Sequence, residues 1–226
     1  MIESTLAHYF QNLVLVPLTL LPLINPLTGA PVFIETAGDD PATVRRMARQ
    51  VAINCLLVIV TALLIGTYVL KLFGISLPIV RIAGGLLVAA TAWRMLQSGD
   101  DDEVKTAVAR VHPGQLTKAE IARRSFFPIT FPLTTGPGTI AASIALGATW
   151  PRQAGAYVID AVVAIAGACL TVLVIYLVYR HAVSLMRRLG EVGSLVMMRL
   201  MAFVLMCIGI QIIWIGWAEL NGLPMQ

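Results

Sequence analysis

Two short motifs rich in proline, glycine and threonine are the parts of this sequence best suited to bind a small solute. Residues 25–31 read NPLTGAP and residues 131–137 read FPLTTGP, and four of the seven positions match. Proline lacks an amide donor and clashes with the preceding turn, so each motif should interrupt a helix. A broken helix offers free amides and a positive dipole end to a carboxylate.

The expected binding residues are those of the two motifs and the glycine that follows the second. They are Asn25, Pro26, Thr28, Gly29, Pro31, Thr134, Thr135, Gly136, Pro137 and Gly138. A single motif of this kind is more readily explained as a structural kink, because proline and glycine are frequent in membrane helices. Its recurrence at a corresponding place in the second half of the chain favours a binding site.

Four ionisable residues lie inside or beside the apolar segments, where charge is costly and often functional. They are Glu35, Arg81, Asp160 and Arg199. We expect two charge pairs that act as gates or in ion coupling: Arg81 with Asp160 at the outer side, and Arg199 with Glu35 at the inner side. The alternative for the arginines is that they reach the lipid headgroups along their aliphatic stems.

The segments that must position these residues are apolar enough to cross a membrane. Of the 226 residues, 58% are hydrophobic and 12% charged, about half the charge of a soluble domain. Because a membrane-spanning helix needs about 20 apolar residues, the sequence predicts an all-α integral membrane protein with six spans. The predicted spans cover about 8–37, 47–71, 75–96, 121–148, 154–179 and 193–218.

The distribution of lysine and arginine predicts the orientation. Thirteen of these residues fall at the ends and loops after the first, third and fifth spans, against three on the opposite side. Cytoplasmic loops are the basic ones, so both termini should face outward. The net charge of +4 therefore reflects topology and does not indicate a nucleic-acid partner.

The motifs also suggest an internal duplication. Each half has three spans, so the second half must enter the membrane from the opposite side, which makes an inverted repeat. We expect a first repeat at 1–96, a cytoplasmic linker at 97–120 and a second repeat at 121–226. The linker ends in a capping-box pattern from Thr117 to Glu120 that should open the fourth span.

No arrangement of residues indicates an enzyme, a metal site or a cofactor. Paired carboxylates and the common hydrolase and nucleotide-binding motifs are absent from the sequence. The three cysteines, Cys55, Cys169 and Cys207, all fall in apolar spans without a nearby histidine. We interpret them as small core residues.

Four segments resemble the MarC family of bacterial inner-membrane proteins: NPLTGAPVF at 25–33, FGISLPIVRIAGGLLVA at 73–89, PLTTGPGTIA at 132–141 and RLMAFVLMCIGIQ at 199–211. The similarity covers nearly the whole chain except the termini and the linker, and it is closest to the branch that gives the family its name. It implies a six-helix inner-membrane protein in a family also called the neutral amino acid transporter family. Some members are described as carriers of alanine and glycine. The sequence departs from the usual pattern at Thr28, where many relatives have glycine.

The first hypothesis is a secondary transporter or exporter of a small solute, with a neutral amino acid as the expected substrate. The site would lie between the two broken helices at the middle of the membrane. A proton or sodium ion is the candidate coupling ion, and the sequence is compatible with a homo-oligomer. The alternatives are a membrane scaffold that transports nothing and, less favoured, a passive channel.

Overall fold

The computed structural model describes residues 2–38, 40–97, 117–148 and 154–223, and all regular structure in these ranges is helical. The first half contains α1 (Ile2–Ile24), α2 (Pro26–Ala37), α3 (Pro41–Leu72) and α4 (Leu77–Gln97). The second half contains α5 (Lys118–Arg124), a π-helical segment π1 (Ser125–Thr134), α6 (Pro137–Ala148), α7 (Ala154–Arg180) and α8 (Ala182–Leu220). Most of the predicted linker, residues 98–116, lies outside the described residues.

Four of these helices are long and apolar enough to cross a membrane: α3, α4, residues 158–180 of α7 and residues 192–220 of α8. Two further pairs qualify only when both members are taken together. Residues 9–24 of α1 bend by 56° into α2, and residues 119–134 bend by 70° into α6. The protein therefore has four to six candidate spans, and the predicted interruptions of the first and fourth spans are confirmed.

The first break occurs at a single residue. Asn25 has φ 40° and ψ 67°, in the left-handed region, and Pro26 opens α2 as its first helical residue. Asparagine tolerates this region better than most residues, and proline suits the first position of a helix because no amide is needed there. Pro31, the second proline of the motif, lies inside the continuous helix α2 and does not interrupt it.

The second break follows a stretch of irregular helix. Phe127 and Phe131 have extended φ/ψ values inside π1, the chain leaves π1 at Thr135, and Pro137 is the first residue of α6. Pro26 thus corresponds in structure to Pro137, whereas the motif comparison paired Pro26 with Pro132. In both breaks the helix restarts at a proline in its first position. In the first motif this is the second residue, Pro26, and in the second motif it is the last residue, Pro137.

The broken helices pack along the second helices of the opposite halves. A Cβ atom at Gly167 of α7 would lie 2.8 Å from the Leu13 carbonyl oxygen, and one at Gly29 would lie 2.6 Å from the Tyr179 hydroxyl oxygen. Residue numbers rise together on both helices, so α1 and α2 follow α7 in the same direction across the break. Near the second break, the Cys55 thiol of α3 pairs with the Thr130 side chain.

The third helices of the two halves, α4 and α8, form the most extensive helix contact. Their backbones approach closely at Gly85 and Gly209: a Cβ atom at Gly85 would lie 2.7 Å from the Gly209 carbonyl oxygen. Small residues allow this kind of approach in membrane proteins. Gly84 likewise allows α4 to approach α6 closely, because a Cβ atom at Gly84 would lie 2.4 Å from that of Ala141.

Side-chain caps begin two of the helices. The Thr117 hydroxyl oxygen accepts from the Glu120 amide, and the Glu120 carboxylate accepts from the Thr117 amide at 2.9 Å, which confirms the predicted capping box. Asp40 caps α3 and accepts from the Thr43 amide at 2.9 Å and the Thr43 hydroxyl at 2.6 Å. These bonds hold the pKa of Asp40 below its ordinary value, and the bond from the Thr43 hydroxyl contributes most.

Candidate functional site

The two broken helices meet at one tyrosine, Tyr179, in the last turn of α7. Its hydroxyl lies against Gly29 of α2 and pairs with the Thr134 hydroxyl of π1 at 2.8 Å. A Cβ atom placed on Gly29 would also lie 3.5 Å from a methyl carbon of Leu133. The tertiary structure therefore brings the two proline motifs together, as their recurrence suggested.

The Tyr179 hydroxyl is part of a chain of hydrogen bonds that holds the second motif. Thr134 donates its hydroxyl hydrogen to the Ile129 carbonyl at 2.7 Å. Since that hydrogen is already used, Tyr179 must be the donor to Thr134. The chain fixes the tyrosine ring relative to π1, in the same half of the protein.

The Tyr179 ring is held on its other side by the first half. It stacks on Phe33 of α2 with the ring centroids 4.7 Å apart and the planes 7° from parallel. Both side chains are fully buried, and Tyr179 is the largest of the fully buried residues that the structure describes. Tyr179 therefore joins a broken helix from each half in one packed cluster, defined here as Gly29, Phe33, Thr134 and Tyr179.

Asn25 is the residue of the first break with unused hydrogen-bonding capacity. It is 6% exposed, and its side chain makes no cap bond to α2. Its carbonyl accepts from the Thr28 hydroxyl at 2.8 Å and from the Thr28 amide at 3.1 Å. The Asn25 carboxamide is therefore not used to cap α2, whereas the Thr28 hydroxyl is already engaged.

The prolines leave carbonyl groups without their usual donors. In an α-helix the Pro22 carbonyl would accept from residue 26, but Pro26 has no amide hydrogen. Pro137 gives no amide to the turn before it for the same reason. Gly136 is required at the second break, because a Cβ atom there would lie 2.8 Å from the Pro132 carbonyl oxygen. The turn before each of these prolines therefore lacks one amide donor.

Several residues of the second motif have internal roles, which corrects the expectation that they face a solute. The Thr135 hydroxyl donates to the Thr130 carbonyl at 2.9 Å, and the Thr134 hydroxyl is used as described above. Gly138 packs against α4, with its Cβ position 2.1 Å from Val88. Each of these hydroxyls donates to the carbonyl five residues earlier, and the Thr130 carbonyl also accepts from the Thr135 amide at 2.7 Å.

The predicted outer gate has a different partner from the one expected. Arg81 forms its ion pair with Glu219 near the end of α8, and the two side chains are 14% and 35% exposed. The antiparallel contact of α4 with α8 places these residues at the same level, which the sequence reasoning missed. The expected pairing of Arg81 with Asp160 is therefore wrong.

Asp160 itself is buried, 3% exposed, and distant from the cluster. Nineteen residues of continuous helix separate it from Tyr179, which is about 28 Å at the rise of an α-helix. It cannot contact a solute bound at the breaks. The predicted inner gate is also not formed: Glu35 and Arg199 are both exposed, and neither makes an ion pair with a described residue.

Tyr179, Phe33 and Glu219 are the residues that sequence reasoning missed. A tyrosine beside a basic residue at a span end suggests an interfacial anchor, and nothing local distinguishes Tyr179 from that pattern. Within the described residues, no group of three His, Cys, Asp or Glu side chains could hold a metal ion.

Comparison with known proteins identifies the family. A family model described as MarC family integral membrane protein matches residues 10–220. The inner membrane proteins MarC of Escherichia coli strain K12 and of Shigella flexneri are each 34% identical over 205 residues, which cover 89% of this chain and 91% of the relative. No solved structure matches the chain. The chain therefore belongs to the MarC family of integral membrane proteins.

Proposed function

We propose that this protein is a secondary transporter that moves a small neutral amino acid across the bacterial inner membrane by alternating access. The observation that carries the proposal is the pair of helix breaks joined at Tyr179, with the Asn25 carboxamide unused beside one of them. Interrupted helices that place backbone groups within the membrane are the usual construction of a solute site in such transporters.

The chemistry of the breaks favours a zwitterion. Amides at the amino ends of α2 and α6 suit a carboxylate, and the carbonyls freed by Pro26 and Pro137 suit an ammonium group. Asp160 is too far along α7 to neutralise a second positive charge there. A neutral amino acid therefore matches these groups better than a cationic one.

Six spans in two inverted repeats are the topology that best explains the packing. The parallel course of α1 and α2 along α7 on both sides of the break supports one bent span over a re-entrant loop. Several contacts between unlike helices recur with the halves exchanged: α1 with α7 and π1 with α3, α2 with α7 and α6 with α3, and α2 with α8 and α6 with α4. A twofold relation between the halves would produce this exchange.

In this topology the amino ends of α2 and α6 point toward the middle of the membrane from opposite sides. Each half-helix has 12 residues, about 18 Å, or somewhat more than half of the hydrocarbon thickness. We place both termini outside, because the basic residues concentrate at the other end. A proton or sodium ion remains our candidate for coupling, with Asp160 as the buried acidic group to test.

A membrane scaffold that transports nothing is the second candidate, and a specific observation favours it. The hydroxyls of Thr28, Thr134 and Thr135 all bond to the protein itself, and Arg81 is paired. A scaffold would have breaks that are packed shut in this way. The unused Asn25 carboxamide is the feature that a scaffold does not explain.

The test is counterflow of labelled alanine, glycine and serine into proteoliposomes that contain the purified full-length protein. We expect uptake of at least one of them, and we expect Asn25→Ala to abolish most of it. Empty liposomes and the conservative variant Asn25→Gln serve as controls. If none of the three amino acids exchanges in vesicles that hold correctly folded protein, the transporter proposal for this class of substrate is wrong.

A further inference from the structure

We infer that Tyr179 closes the path between the helix breaks and the basic end of the protein, and that Thr134 positions it for this role. The inference rests on the proposed function in one respect, namely that a path exists to be closed. The closure itself is a statement about access to the first break, and it can be measured without any transported solute.

Tyr179 lies near the end of the buried interior on that side, followed along the two helices only by small buried residues such as Ala37 and Ala182. It has no exposed surface, whereas the next residue, Arg180, is exposed and ends α7. Its stacking partner Phe33 lies one turn before the end of α2 at Ala37. A solute that moves from Asn25 toward the basic end along the face of α2 that carries Phe33 would therefore meet the stacked rings.

The contacts of Tyr179 differ in kind between the two halves. The directional bond is to Thr134 of its own half, at 2.8 Å. The contacts with the other half, to Phe33 and Gly29, are only packing contacts. If the halves move apart, the ring can leave Phe33 and Gly29 at little electrostatic cost while Thr134 keeps it oriented for return.

The aromatic pair takes the place of the charge gate expected from the sequence. Glu35 and Arg199 are both exposed and unpaired with each other, so they close nothing in this structure. A stacked pair of rings excludes water without burying a charge, which is the less costly way to seal a membrane interior.

The experiment measures how fast a cysteine at the first break reacts from the basic side. Cys55, Cys169 and Cys207 are replaced by alanine in the full-length protein, and Thr28→Cys is added as the reporter. A small, membrane-impermeant methanethiosulfonate is applied separately to inverted and right-side-out membrane vesicles. Tyr179→Ala should speed the reaction from the basic side about tenfold and leave the opposite side unchanged.

Matched variants separate closure from general loosening. Tyr176→Ala, one turn earlier on α7, should react like the parent. Tyr179→Phe keeps the ring but loses the bond to Thr134, so its rate should lie between those of the parent and Tyr179→Ala. Phe33→Leu should raise the rate, and it tests the closure independently if Tyr179→Ala does not fold. The inference is overturned if removal of the ring leaves the rate unchanged, or if Tyr176→Ala raises it equally.

The result stands apart from the counterflow measurement. Faster labelling without flux of any amino acid would support the closure and refute the proposed substrate class. Flux in the parent without a change in labelling would support transport and refute the role of Tyr179.

Discussion

The tightest contact in the candidate site gives the sharpest prediction. A Cβ atom at Gly29 would lie 2.6 Å from the Tyr179 hydroxyl oxygen, whereas ordinary contacts begin at 3.4 Å. Gly29→Ala must therefore displace that hydroxyl by most of an ångström, against the Phe33 stack and the Thr134 bond. Overpacking costs about 1–3 kcal/mol and the lost hydrogen bond about 1 kcal/mol. Helix propensity returns up to about 1 kcal/mol.

The expected net loss for Gly29→Ala is about 1–3 kcal/mol, or roughly 2–12 °C in the thermal unfolding midpoint in detergent. Tyr179→Phe should relieve the clash, because the next atoms that the new methyl group meets are Leu133 at 3.5 Å and the ring carbon at 3.6 Å. The double variant should thus be more stable than Gly29→Ala alone, while Tyr176→Phe should rescue nothing. A double variant as unstable as Gly29→Ala, or a single variant as stable as the parent, would refute this reasoning.

Three further predictions concern the frame around the site. Arg81→Gln and Glu219→Gln should each lower the unfolding midpoint. The double variant should lose little more stability than either single variant, because removal of one partner already breaks the ion pair. Additive losses would contradict the contact. Gly209→Ala should disrupt the contact of α8 with α4, since its Cβ would lie 2.7 Å from a backbone nitrogen, while Gly193→Ala in the same helix, with 3.7 Å to its nearest neighbour, should be neutral in the same unfolding assay. Asp40→Ala should lower the unfolding midpoint at neutral pH. The difference from the parent should vanish as the pH falls through the depressed folded-state pKa of the Asp40 carboxyl, because a carboxylate with a lowered pKa stabilises the fold only above that pKa. A difference that persists at low pH would show that the charge is irrelevant.

Much of the local structure could be predicted from the sequence because its causes are local. The helix restarts at Pro26 and at Pro137 because a proline in the first helical position needs no amide partner. The capping box at Thr117 involves residues only three apart. The apolar segments predicted most helix ends within a few residues. However, α1 and α3 each begin six residues before the predicted span, and α8 begins eleven residues before it.

The partners of the charged and aromatic side chains could not be predicted in the same way. Arg81 was paired with Asp160 because both were expected near the outer side, but depth in the membrane does not give lateral position. The structure pairs Arg81 with Glu219, 138 residues away, because α4 packs against α8. The threonine hydroxyls were expected to face a solute, but the irregular path of π1 directs them to its own carbonyls.

The sequence by itself determined that the chain is helical, that it belongs in lipid, and that two of its helices break at prolines. These properties follow from hydrophobicity and from backbone chemistry within a few residues. Only the tertiary structure decided that the two breaks share Tyr179, because this depends on how helices far apart in the chain rotate and align. Hydrophobicity fixes which segments are buried, but the close approach allowed by glycines such as Gly29 fixes which side chains meet.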